Sequence, residues 1–122
     1  VATDAPLDSR NLKRLAKRAI IGMGKTGGIA SNGSGDYVIA FSTDKNVRVP
    51  YSSDTMYYET KVLRNGYMNS LFLATIEATE EAILNSLFAA TTVSGKGGLT
   101  VESLPIDKVL SIMKKYNKIN NK

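Results

Sequence analysis

Ser34 and Asp36 are the residues of this chain best spaced to do chemistry together. They lie in the run Asn32-Gly33-Ser34-Gly35-Asp36, where two glycines bracket the serine and leave its backbone uncrowded. In an extended segment residues i and i+2 point to the same side, so the two side chains present a hydroxyl and a carboxylate to one spot. The same residue types also make an ordinary polar turn before a strand, and the pentapeptide alone leaves both readings open. Composition limits what such a pair can belong to. The 122 residues include no Cys and no His. That removes disulfide frameworks, thiolate nucleophiles, zinc sites built on Cys or His, and the Ser-His-Asp triad. Hydrolytic chemistry here must take its base from a carboxylate, a lysine or a terminal amine.

Other motifs carry less. Gly22-Met23-Gly24-Lys25-Thr26-Gly27 fits the spacing GxGxxG, and Gly24-Lys25-Thr26 is similar to the end of a phosphate-binding P-loop. The context fails for both. A dinucleotide fingerprint follows a strand and opens a helix, whereas this one closes a helix, and a P-loop needs glycine where Ala19 stands. Glycine punctuation at a helix C-terminus accounts for Gly22 and Gly24, and no cofactor is expected. Asn32-Gly33-Ser34 fits a glycosylation sequon, but the first thirty or so residues lack the basic-then-apolar layout of a secretory signal. No apolar run reaches the eighteen or so residues of a membrane helix, and a cytoplasmic location is expected.

The net charge is +5, from 16 Lys and Arg against 11 Asp and Glu, and the excess sits in two clusters. Arg10, Lys13, Arg14, Lys17 and Arg18 form one; Lys114, Lys115, Lys118 and Lys122 form the other. A non-catalytic module that binds an acidic partner, nucleic acid included, would use such a face. Against it, the first cluster is the polar side of a helix whose other side is Leu12, Leu15, Ala16, Ala19, Ile20 and Met23. The second cluster suits a helix C-terminus, and no aromatic residue is interleaved to stack on bases. Solvated helix surfaces are the expectation, with no nucleic acid and no membrane as partner.

The elements that must position Ser34 and Asp36 follow from periodicity and punctuation. The spacing predicts a strand end at residues 1–4, a helix over residues 9–23 capped by Asp8 or Ser9, and a glycine-rich stretch over residues 24–35. Residues 37–43 read as a strand buried on both faces, because apolar residues run there without strict alternation. A long irregular connection with a short strand at residues 47–49 follows, then a helix over residues 67–92 with Leu71, Ile76, Ala78, Ala82, Ile83 and Leu87 on its apolar side. A glycine turn at residues 94–98 precedes a short extended piece. Pro105 opens a last helix with Val109, Leu110, Ile112 and Met113 inward and a polar, frayed tail. The pattern shows no internal repeat and one α/β domain.

The run from Gly24 to Thr43, GKTGGIASNGSGDYVIAFST, resembles the hallmark segment of the DmpA-type L-aminopeptidase/D-esterase family, the β-peptidyl aminopeptidases. The start, Val1-Ala2-Thr3-Asp4-Ala5-Pro6-Leu7 with the basic helix, is similar to the beginning of that family's small subunit. Residues 77–87 with Leu104-Pro105 are similar to its end. The resemblance implies a self-processed hydrolase that releases N-terminal residues from short peptides, amides or esters. It implies an αββα sandwich like that of N-terminal-nucleophile hydrolases, with residues 1–122 one part of a shared sheet.

Self-cleavage in that family creates an N-terminal Ser that serves as nucleophile. By resemblance it would lie about five residues before Val1, so the chain is expected to be incomplete. Ser34 and Asp36 then match the serine and the acidic residue beside the nucleophile. The large subunit of the same precursor becomes the partner and the source of the oxyanion-hole donor, in a homo-oligomer of processed heterodimers. An ornithine acetyltransferase-like acyl transferase, with a Thr nucleophile, is the enzyme alternative; the Gly-Ser-Gly-Asp match favours the aminopeptidase.

Overall fold

Asp8 turns an extended start into a helix. The computed structural model, which describes residues 1–119, shows its carboxylate accepting from the Asn11 backbone N–H at 2.8 Å, which satisfies one of the free donors of the first turn. Helix α1, Ser9–Lys25, runs past the predicted end because Gly22 and Gly24 lie inside it. Ahead of it, strand β1, Ala2–Thr3, pairs in parallel with strand β2, Phe41–Ser42, Ala2 opposite Phe41 and Thr3 opposite Ser42. α1 is the crossover that a parallel pair requires.

Residues 37–43 depart from the expectation of a strand buried on both faces. Phe41 and Ser42 alone are paired in it, and Tyr37, Ile39 and Phe41 are 94%, 80% and 52% exposed. Val38 and Ala40 are half-buried and line a small cavity with Leu12 and Ala16 of α1. The segment therefore alternates: α1 covers one face, and the apolar side chains of the other face lie open. The strand expected at residues 47–49 is also absent. Asp44 accepts from both the backbone and the side-chain nitrogen of Asn46, at 2.6 and 2.8 Å, and this local bonding winds Lys45–Val47 into a 3₁₀ turn.

Helix α2, Met68–Ala89, follows a 3₁₀ turn at Asn65–Tyr67. Leu7, Leu15, Met68 and Phe72 form the buried core, with Val1, Ala5, Leu12, Leu63 and Leu71 packed around it. The buried stripe of α1 is Asn11, Leu15, Ala19 and Gly22, a three-to-four spacing that keeps one side toward α2. Gly22 is a packing residue rather than helix punctuation: a Cβ there would lie 2.5 Å from the Ile76 carbonyl oxygen. Two threonines on α2 return their hydroxyls to the helix, Thr75 to Leu71 O at 2.8 Å and Thr79 to Thr75 O at 2.7 Å.

β1, α1, β2 and the part of α2 up to Glu81 belong to a unit spanning Val1–Glu81; the chain's other unit, Ala82–Lys122, begins with the last residues of α2. In the second, strands β3, Val93–Ser94, and β4, Thr100–Val101, form an antiparallel hairpin. Its turn uses Gly97 and Gly98 at φ of 77° and 80°, which only glycine adopts freely. Helix α3, Ile106–Lys115, begins after Pro105 as expected. Its apolar side is only partly covered: Val109 and Met113, one turn apart, are half-buried, whereas Leu110 and Ile112 are 42% and 56% exposed. None of residues 82–119 is buried. Lys122 and the end of the expected polar tail lie outside the described residues. Among the described residues, no helix is long and apolar enough to cross a membrane.

Candidate active site

The loop that carries Ser34 and Asp36 is launched by the end of α1. Gly28 N–H donates to Met23 O at 3.2 Å and Gly27 N–H to Gly24 O at 3.1 Å, with Gly27 at φ +97°. This pair of bonds is a Schellman cap. The helix-ending glycines are therefore Gly27 and Gly28, not Gly22 and Gly24, and two glycines directly after an amphipathic run were the available signal. Thr26 adds its hydroxyl to Met23 O at 2.7 Å. The cap fixes the direction in which the chain leaves α1.

Ala30 then takes φ +47°, a left-handed conformation uncommon for a residue with a Cβ. A turn follows: Ser34 N–H donates to Ser31 O at 2.8 Å, with Gly33 at φ +98° in its third position. A type II turn requires a positive φ there, which explains the Asn-Gly pair. The turn delivers Ser34 to the mouth of the extended segment. Across Gly35, the Ser34 hydroxyl donates to the Asp36 Oδ2. Both residues are exposed, and a Cβ at Gly35 would meet only the Tyr37 ring, at 3.7 Å, beyond its own chain neighbours.

The pair thus converges as its spacing predicted. The serine proton is directed at the carboxylate, so the Ser34 oxygen offers its lone pairs to a second donor arriving from outside the loop. Such an arrangement orients and relays a proton. A lone carboxylate is a weak base for a serine hydroxyl, so relay suits the pair better than direct attack by Ser34. Among the described residues, no group of three or more His, Cys, Asp or Glu gathers to hold a metal ion.

The basic cluster of α1 divides. Lys13 and Lys17 are exposed, while Arg14 and Arg18 are half-buried, with guanidinium carbons 5.0 and 3.9 Å from the Phe72 ring centroid. Arg14 also donates to Asn11 Oδ1 at 2.9 Å and to Asn65 Oδ1. Two of the five cations therefore serve packing, which charge counting alone did not reveal.

The sequence profile of peptidase family S58 matches residues 1–101. The chain belongs to this family. The S58 chain is 44% identical over 119 residues to the β-peptidyl aminopeptidase BapA of Sphingosinicella microcystinivorans, covering 98% of this chain and 30% of that protein. Among solved structures it is similar to the L-aminopeptidase D-Ala-esterase/amidase of Ochrobactrum anthropi, a serine aminopeptidase described as a variant of the Ntn hydrolase fold. There the TM-score is 0.83 at 31% identity, over 96% of this chain and 32% of that one. It is also similar to a β-aminopeptidase of a Burkholderia species, with a TM-score of 0.77 at 34% identity, over 93% of this chain and 33% of that one. The S58 chain has the mixed α/β fold of the corresponding part of these hydrolases, as the DmpA-type resemblance implied. It spans less than a third of the length of the curated relatives it matches.

Proposed function

We propose that residues 1–122 form the small-subunit part of a single self-processed hydrolase domain. The whole protein releases N-terminal residues from short peptides, amides or esters through an N-terminal serine upstream of Val1. The observation that carries this reading is the Ser34–Asp36 hydrogen bond taken with the register of β1 on β2. Were the register of the Ala2–Phe41 pair to continue upstream, a residue about five places before Val1 would fall opposite Gly35, between Ser34 and Asp36. The Val1 nitrogen already bonds Ile39 O at 2.6 Å, one step along that path.

In this mechanism the nucleophile's hydroxyl attacks the substrate carbonyl and its proton passes to the nucleophile's own amine. The Ser34 oxygen accepts from that centre, and Asp36, which takes the Ser34 proton, holds the hydroxyl in the orientation required. The larger fragment of the precursor supplies the oxyanion-hole donor. The partnership is supported by the open apolar row Tyr37, Ile39 and Phe41 and by a second unit with no buried residue among its described residues. Both need cover that a two-layer domain normally gives itself. Processed heterodimers then assemble into a homo-oligomer acting in the cytoplasm. The reading of α1 as a ligand-binding face loses Arg14 and Arg18 to Phe72.

The test is intact-mass and N-terminal analysis of the full-length protein after expression, with hydrolysis of an aminoacyl amide measured alongside. A fragment beginning with Ser about five residues before Val1, co-purifying with a larger fragment and active, is expected. An uncleaved protein that hydrolyses the amide at the same rate would overturn the reading.

A further inference from the structure

The parallel pair of β1 and β2 is two residues long, and side chains tie it down where it ends. Ser42 Oγ donates to Ala5 O at 2.7 Å and accepts from Asp44 N–H at 3.2 Å. Thr43 Oγ1 donates to Thr3 O at 3.3 Å, the carbonyl that also takes Thr43 N–H at 2.9 Å. On the β1 side, Thr3 Oγ1 accepts from Ala5 N–H at 3.1 Å. Arg48 closes the far end with two bonds to Thr43 O, at 3.1 and 2.8 Å.

Backbone ladder bonds repeat along a parallel pair, so they do not by themselves distinguish one register from another two residues away. A slip of one residue is already opposed, because it would turn Tyr37, Ile39 and Phe41 toward α1. A slip of two keeps the faces; it would draw Val1, Ala5 and Leu7 along the core they pack into, and within the pairing itself it is opposed by Ser42. It would set Ala40, with no hydroxyl, or Asp44, with a carboxylate, against the Ala5 carbonyl. Neither replaces the bond that Ser42 makes.

We propose that Ser42 is a positioning residue: its bond to Ala5 O sets the register of β1 on β2 and thereby the place of the upstream nucleophile beside Ser34 and Asp36. This rests on the self-processing reading above. A two-residue slip displaces one strand along the other by about 6.6 Å, and a misplacement of only ~1 Å at a reacting atom is enough to cost roughly a hundredfold in rate.

The experiment compares Ser42→Thr with Ser42→Val in the full-length protein. The two replacements have the same shape and differ in the hydroxyl, and Ser42 borders a cleft with Leu7, Leu12, Tyr58 and Val62 that has room for the added methyl. Ser42→Thr is expected to keep kcat within about twofold, while Ser42→Val loses about ten- to a hundredfold in kcat with KM within about twofold, and self-cleaves more slowly by a similar factor. Ser42→Ala, which adds no bulk, should follow Ser42→Val and serves if the valine variant does not fold. Valine or alanine variants with wild-type kcat would overturn the proposal, as would threonine and valine variants that lose activity alike. Ser34→Ala is run in parallel. If it is inactive while Ser42→Val is normal, register control alone falls. If Ser34→Ala turns over normally, the catalytic reading falls and the register proposal with it.

Discussion

Gly22 and Thr79 stand closer across α1 and α2 than any side chain at position 22 permits: a Cβ there would lie 2.8 Å from the Thr79 Cβ and 2.5 Å from the Ile76 carbonyl oxygen. A backbone oxygen inside a helix has nowhere to swing, so Gly22→Ala forces the helices apart. Alanine gains about 1 kcal/mol over glycine as a helix former, but overpacking costs about 1–3 kcal/mol, and backbone contact puts this site at the upper end. The full-length protein should therefore lose about 1–2 kcal/mol, read from the denaturation midpoint at constant slope. A variant as stable as wild type would contradict the close approach.

Ser34→Ala and Asp36→Asn should each slow turnover on an aminoacyl amide by roughly a hundred- to ten-thousandfold, the usual loss for a positioned proton-transfer group. KM should move by no more than about twofold, because the interaction belongs to the transition state. Both variants have to be assayed after mass spectrometry has confirmed processing. If the loop is only a turn, the effect is a stability loss of about 1 kcal/mol with turnover intact.

The two kinds of cation on α1 should separate cleanly. Neutralising Lys13 and Lys17 together should change stability by a few tenths of a kcal/mol and hydrolysis by less than about twofold. Arg18→Ala removes a guanidinium 3.9 Å from the Phe72 ring centroid and the stem packed beside it. Its expected cost is about 1–2 kcal/mol. Thermal unfolding of the three proteins checks the contrast, and a lysine pair that matters as much as Arg18 would argue for a ligand on this face.

Residues 1–122 expressed alone should bind a hydrophobic dye and show weak hydrogen-exchange protection, with the weakest in residues 82–119, where no side chain is buried. A monomeric chain with one cooperative transition and no dye binding would remove the need for a covering partner.

The helix spans were legible because their signals are local, whereas the buried side of α2 was not: Met68, Phe72 and Thr75 are buried there, and Ala78, Ala82 and Leu87 are exposed. Asp8 before an amphipathic run and Pro105 before another gave two starts to within a residue. The Ser34–Asp36 contact was legible for the same reason, since two residues across one glycine need no tertiary knowledge. The extent and burial of the strand over residues 37–43 were not legible. Its length depends on what pairs with it, and unbroken apolar character reads identically whether the second face is covered or open. Ser42 and Thr43 carried no signal, because their partners, Ala5 O and Thr3 O, are backbone atoms distant in sequence, one within β1 and one just after it. Gly22 was misread because close packing and helix termination both select glycine.

The single crossover from β1 through α1 to β2 has a kinetic consequence. The two strands that flank the candidate site are separated in sequence by a helix, and the Val1–Ile39 contact spans 38 positions. Parallel pairing is slow when its ends must find each other through a loose loop, and a preformed helix shortens that search. The caps at Asp8 and at Gly27 and Gly28 determine where the helix starts and stops, and so how far apart it delivers the strands. A substitution at Asp8, at the end of the helix away from the loop of Ser34 and Asp36, should slow maturation of newly made protein while leaving the turnover of molecules that have already matured unchanged.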